Sequence, residues 1–145
     1  MPEIKSPATF EKIGVCAAVN PRDGNLFSLI FDGFDSNTFI CYLEWLMETI
    51  GTEKKIVLVV DNASSHKSFK VQEFVEAYSE YLELLYLPPY SPDLNPVERI
   101  WKHLRYHVTH NKYFESLEML ISSITKYLKF YSQPNSQLVS LCCIN

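Results

Sequence analysis

The spacing of apolar residues divides this chain into strands and helices. Ile13 to Val19 is a run of small and apolar residues that predicts a strand. Pro21-Arg22-Asp23-Gly24 is turn chemistry, and Leu26 to Phe31 predicts a second strand, so residues 12–33 read as a β-hairpin. Ser36 is the expected N-cap of a helix whose apolar residues, Phe39, Leu43, Leu46, Met47 and Ile50, share one face; Gly51 ends it. Ile56 to Val60 shows no alternation, the pattern of a strand buried on both faces of a parallel sheet. A helix over 68–80 follows, with Val71, Phe74, Val75 and Tyr78 on one side.

A short strand is expected over 83–87. Pro88 and Pro89 stop it, because proline cannot donate to a ladder. After a turn segment, Asn95 stands at an N-cap position and Pro96 at the first helical position. Val97, Ile100, Trp101, Leu104 and Val108 form the stripe of that helix. Leu117, Leu120, Ile121, Ile124 and Leu128 form the stripe of a last one, over Glu115 to Tyr131. Residues 1–11 read as an irregular lead-in, 12–131 as one core, and 132–145 as a tail without a clear signal. The order hairpin, helix, strand, helix, strand, helix, helix predicts an α/β fold with a parallel central pair.

Composition narrows the class. The 145 residues are 47% hydrophobic and 14% aromatic, enough for one domain with its own core, and at 21% charged they do not read as disordered. No apolar run approaches the roughly 18 residues of a membrane helix. Residues 1–15 lack the regions of a signal peptide, so a cytoplasmic protein is expected. Cys16, Cys41, Cys142 and Cys143 show no Cys-x-x-Cys spacing, so neither zinc nor a redox motif is suggested, and the adjacent Cys142 and Cys143 read as free thiols. The net charge of −4 argues against a self-sufficient nucleic-acid binder. A role on DNA would need a local patch, a metal or a further segment.

Two acids stand where chemistry collects in α/β folds. Asp61 follows a strand, at the carboxyl end where open sheets gather ligands, though Asp61-Asn62 is equally good turn chemistry. Glu98 lies in the first turn of its helix, where Asn-Pro-Val-Glu also reads as a capping box. Two carboxylates brought to about 4 Å repel by about 4 kcal/mol at an effective dielectric of 20. A hard divalent cation with oxygen ligands removes that penalty, and paired metals clamp attacking and leaving oxygens in phosphoryl transfer.

Val-Leu-Val-Val-Asp-Asn-Ala-Ser-Ser-His-Lys-Ser at 57–68, then Leu-Tyr-Leu-Pro-Pro-Tyr-Ser-Pro-Asp-Leu-Asn-Pro-Val-Glu-Arg-Ile-Trp at 85–101, resembles the catalytic core of Asp-Asp-Glu transposases. The similarity is to the mariner-like insertion-sequence group and runs from about Lys12 to Lys129. It implies a ribonuclease-H-like fold, a mixed sheet with flanking helices. It also implies that Asp61 is the second catalytic aspartate and Glu98 the catalytic glutamate, both as ligands of Mg2+ or Mn2+; 36 residues separate them. The family's first aspartate sits on a strand before the hairpin, and no acid before Lys12 matches it. Nor is the family's basic helix-turn-helix region seen. A sheet lacking its first, central strand is therefore expected, one that either closes the gap by direct pairing or leaves two exposed edges that invite association with another chain.

His66 belongs to the matched motif and suits either a DNA contact or a part in shaping the site. Lys67, Arg99 and Lys102 flank the acids and suit phosphates or a solvated surface. Tyr90 suits base stacking or local packing, and Asn95 is a further DNA-contact candidate beside its capping role. His103, His107 and His110 share a helical stripe, but zinc would need a fourth ligand. The expected function is a partial transposase catalytic domain for metal-dependent DNA cleavage and strand transfer, inactive alone. The alternatives are a non-catalytic regulatory fragment that pairs with a full-length transposase, and a decayed remnant. The expected partners are DNA (transposon ends and target), the missing N-terminal part or a full-length transposase, and a further copy of the chain in a homo-oligomer. No membrane is expected; in a bacterium the protein would associate with the nucleoid.

Overall fold

The computed structural model describes residues 3–5, 12–89, 95–110, 112–134 and 136–142. They form two compact units, Met1–Asp32 with Pro96–Asn145, and Gly33–Asn95. Each is mixed α/β, and no helix among the described residues is long and apolar enough to cross a membrane.

The first unit opens on β1 (Glu3–Lys5), which pairs antiparallel with β2 (Lys12–Val19). β2 pairs in turn with β3 (Leu26–Phe31), giving the sheet order β1-β2-β3. The expected hairpin is present, closed by Gly24, which sits at φ 75° and donates its N–H to the Asn20 carbonyl at 2.8 Å. The short β1 corrects the irregular lead-in read over residues 1–11. It lies on the β2 edge away from β3, where the resemblance reserves the first strand. Three residues are too few to show a strand's alternation in sequence.

Behind the hairpin stand α3 (Pro96–Leu104), α4 (Leu117–Phe130) and α5 (Ser136–Cys142). Ile13, Val15 and Leu26 from the sheet pack with Ile100, Trp101 and Leu104 of α3, Leu120 and Ile124 of α4, and Leu138 of α5. The stripes read from the sequence for α3 and α4 are the faces that are buried. The helix α5 corrects the tail read over 132–145. Its Leu138 is fully buried, but seven residues give too short a stripe to be recognised. After Leu104 the chain loosens into a π-helical turn, Arg105–Thr109, rather than continuing α-helical to Val108 as expected.

In the second unit α1 (Ser36–Ile50) begins at Asp35, not Ser36. The Asp35 side chain accepts from the Thr38 N–H at 2.9 Å, and Thr38 Oγ1 accepts from the Asp35 N–H at 2.9 Å, a reciprocal cap. Gly51 ends the helix at φ 90°, where a Cβ would be strained, and donates to the Met47 carbonyl. β4 (Ile56–Val60) and β5 (Leu82–Tyr86) pair parallel, Val60 opposite Tyr86, as the crossover through α2 (Phe69–Ala77) requires. β4 is not buried on both faces: Val57 is 52% and Val59 45% exposed. Leu85, level with Val59 on β5, is 47% exposed. The uniform apolar run hid a period of two, because both faces of β4 carry the same residue types.

Candidate active site

Asp61 directly follows β4. Its carboxylate Oδ1 accepts from the Ala63 N–H at 3.0 Å, the side-chain turn that Asp-Asn chemistry favours. The same Oδ1 lies 2.8 Å from His66 Nδ1. The structural and the chemical reading of Asp61 thus hold together, since the turn fixes the carboxylate that the chemistry needs.

His66 closes a single 3-10 turn, Ser64–His66, and is 2% exposed. Phe39 tilts against its ring at 4.4 Å between centroids, and Phe34 meets it edge-on at 5.6 Å. The His66 carbonyl accepts from the Tyr86 hydroxyl at 2.8 Å, which ties the turn to the end of β5. The Asn62 side-chain amide donates to the Leu87 carbonyl, a second tie between the two strand ends. Among the described residues Nε2 of His66 has no hydrogen-bond partner, and Nδ1 meets the Asp61 carboxylate as a charge contact. The His66 imidazole is the main influence holding the Asp61 carboxyl below its ordinary range; the Ala63 N–H adds to it, and partial burial opposes it. Asp61 is held ionised, with its side chain 36% exposed.

Glu98 is half-buried in the first turn of α3, and its carboxylate makes no ion pair or hydrogen bond among the described residues. It is one helical turn before Lys102, which is exposed. Asp61 and Glu98 belong to different units, and each is described within its own. Both are oxygen-only donors, the kind Mg2+ and Mn2+ prefer, so they fit a hard divalent ion in kind. No group of three metal-holding side chains occurs among the described residues. His103 lies 2.8 Å by Nδ1 from the Tyr127 hydroxyl, and its Nε2 is 3.3 Å from the Gln137 amide nitrogen.

The remaining candidates separate by burial. His66 and Asn95 are buried, at 2% and 7% exposure. Arg99 is half-buried and donates to the Leu141 carbonyl at 3.3 Å, joining α3 to α5. Lys67 is exposed, its ammonium 5.4 Å from the centre of the Tyr86 ring. Tyr90 falls outside the described residues. The sequence reading passed over Arg105 and Tyr106, which with Lys102, Thr109 and His110 line an open recess of about 350 Å3. The closeness of Lys102, Arg105 and Tyr106 in the sequence was the available signal. Cys16 is buried and its thiol is pushed up to about 12 by that burial, which keeps it protonated and unreactive.

Residues 2–121 match the family model described as DDE superfamily endonuclease. The chain belongs to that family. Over 129 residues it is 29% identical to an uncharacterized 39 kDa protein of insertion element IS630 from Shigella sonnei, a match covering 89% of this chain and 37% of that protein. Among solved structures, the catalytic domain of Mos1 mariner transposase superposes with a TM-score of 0.70 at 18% identity, covering 97% of this chain and 75% of that one. A Mos1 paired-end complex with the left transposon end gives 0.69 at 18% identity, covering 94% and 40%. Further structures of the Mos1 catalytic domain carry Mn or Mg. The family is the DDE superfamily of endonucleases, and the fold is that of the Mos1 catalytic domain, ribonuclease-H-like. The chain spans little more than a third of the length of its IS630 relative.

Proposed function

We propose that this chain is part of a transposase catalytic domain, supplying Asp61 and Glu98 to metal-dependent cleavage and strand transfer of DNA. The observation that carries the reading is the ionised Asp61 carboxylate, held by His66 and Ala63 at the end of a parallel strand inside the matched family motif. Asp61 and Glu98 would hold Mg2+ or Mn2+. A bound divalent ion activates water or a 3′-hydroxyl as nucleophile and neutralises charge on the phosphate. The chain's own part is to keep both carboxylates charged and oriented. An aspartate from outside these 145 residues completes the set, so the chain alone is inactive. Supercoiled plasmid with Mn2+ tests this. The chain alone leaves the plasmid intact, and the chain fused to a segment that supplies the third carboxylate nicks it. Asp61→Asn abolishes the nicking. Nicking that survives Asp61→Asn would contradict the assignment.

A second reading is favoured by one observation, the exposed apolar face of Val57, Val59 and Leu85. Such a face suits pairing with a full-length transposase. Co-purification with that enzyme, lost on Val57→Lys, separates this reading from the first.

A further inference from the structure

We propose that the outer face of α3 and of the π turn after it binds a DNA strand, with Tyr106 and His110 as a platform for an unpaired base and Lys102 and Arg105 as phosphate contacts. The proposal rests on the function above and locates where the strand runs.

Lys102 and Arg105 stand four and seven residues after Glu98, one and two turns further along the same side of the helix. A strand whose phosphate reacts beside Glu98 would pass over them. The recess there is lined by Lys102, Arg105, Tyr106, Thr109 and His110, with no acid among them. In a chain of net charge −4, this is a local departure toward positive charge of the kind that phosphates select.

The rings of Tyr106 and His110 are 5.8 Å apart and within 17° of parallel. Tyr106 is 67% exposed, so the stack it makes with His110 opens to solvent on the tyrosine side. The turn that carries Tyr106 is π-helical, closed by the His110 N–H donating to the Arg105 carbonyl at 2.7 Å. Such turns are rare and gather at functional sites. Apolar packing is kept through it, with Val108 buried on the inner side. An acidic peptide would satisfy the cations but leave the rings without a flat partner. A nucleobase uses both, and only a base already out of the stack can reach the ring faces.

The test is fluorescence anisotropy with the 145-residue chain in EDTA, so that metal chemistry plays no part. One probe is a blunt duplex; the other is the same duplex with an unpaired overhang. Tyr106→Ala is expected to weaken overhang binding roughly tenfold, with little change for the blunt duplex, while Tyr106→Phe retains it. Arg105→Gln is expected to weaken both and to lower the salt slope by about 1. If Tyr106→Ala lowers the melting temperature, His110→Ala supplies the same comparison. The proposal is overturned if the wild-type chain binds neither probe, if the preference for the overhang is absent or survives Tyr106→Ala, or if poly-glutamate competes as well as the overhang. The plasmid assay does not read this preference, so either proposal can fail without the other.

Discussion

His66 Nδ1 lies 2.8 Å from Asp61 Oδ1, and the ring that makes this contact is held by Phe34 and Phe39. The orientation of the carboxylate therefore depends on aromatic packing in α1 and the loop before it. His66→Phe keeps an aromatic ring but removes the nitrogen. It is expected to weaken Mn2+ binding about 10- to 100-fold, as loss of a partner to a metal ligand does, while the melting temperature stays close to wild type. His66→Asn returns a polar group near the Nδ1 position and restores part of the affinity. Calorimetric titration with Mn2+ makes the comparison, and equal affinity in His66→Phe and wild type would show that the contact plays no part in binding.

The start of α1 discriminates between two adjacent residues. Asp35 makes the reciprocal cap with Thr38. Asp35→Ala is expected to cost about 1 kcal/mol in urea unfolding. Ser36→Ala should cost less, since the Ser36 hydroxyl makes only a 3.4 Å bond to the Ser65 carbonyl. The reverse order would place the cap at Ser36.

Leu138 carries α5 onto the core of the first unit. Leu138→Ala removes a fully buried side chain and is expected to lower stability by about 2–5 kcal/mol. A change under about 0.5 kcal/mol, the range of surface positions, would mean that α5 does not pack there.

His103 sits in a chain of polar contacts. The Gln137 amide donates to Nε2, Nδ1 faces the Tyr127 hydroxyl, and the Tyr131 hydroxyl donates to Gln137 Oε1 at 2.8 Å. This arrangement suits the neutral ring. Burial and then the neighbouring His107 lower the His103 pKa from its ordinary value. The unfolded chain thus binds this proton more readily than the folded one, and stability falls as pH drops below about 6.5. Melting temperatures between pH 7.5 and 5.5 should fall in the wild type and fall less in His103→Gln. Identical slopes would remove His103 from the explanation.

The larger elements were legible because each buries one face. The stripe of Ile100, Trp101 and Leu104 and that of Leu120 and Ile124 are the observed core. Asp61 after β4 and Glu98 in the first turn of α3 stand where the sequence placed them. What the sequence hid was contextual. Val57 and Val59 are as apolar as the inward residues of β4, so their exposure left no mark. His66 and Asn95 are polar residues that packing encloses, and their burial depends on neighbours far along the chain. β1 and α5 are too short for periodicity, and the π turn shifts the register after Leu104 without a proline or glycine to announce it.

The proposed function has Asp61 and Glu98 share one divalent ion. Mn2+ titration of the isotope-labelled 145-residue chain, followed by amide resonances, tests it most directly, because the paramagnetic ion broadens only what lies near it. The account predicts that amides around Asp61 and around Glu98 broaden together, and that Asp61→Asn removes both effects. Broadening at one acid without the other, or broadening unchanged by Asp61→Asn, would contradict it.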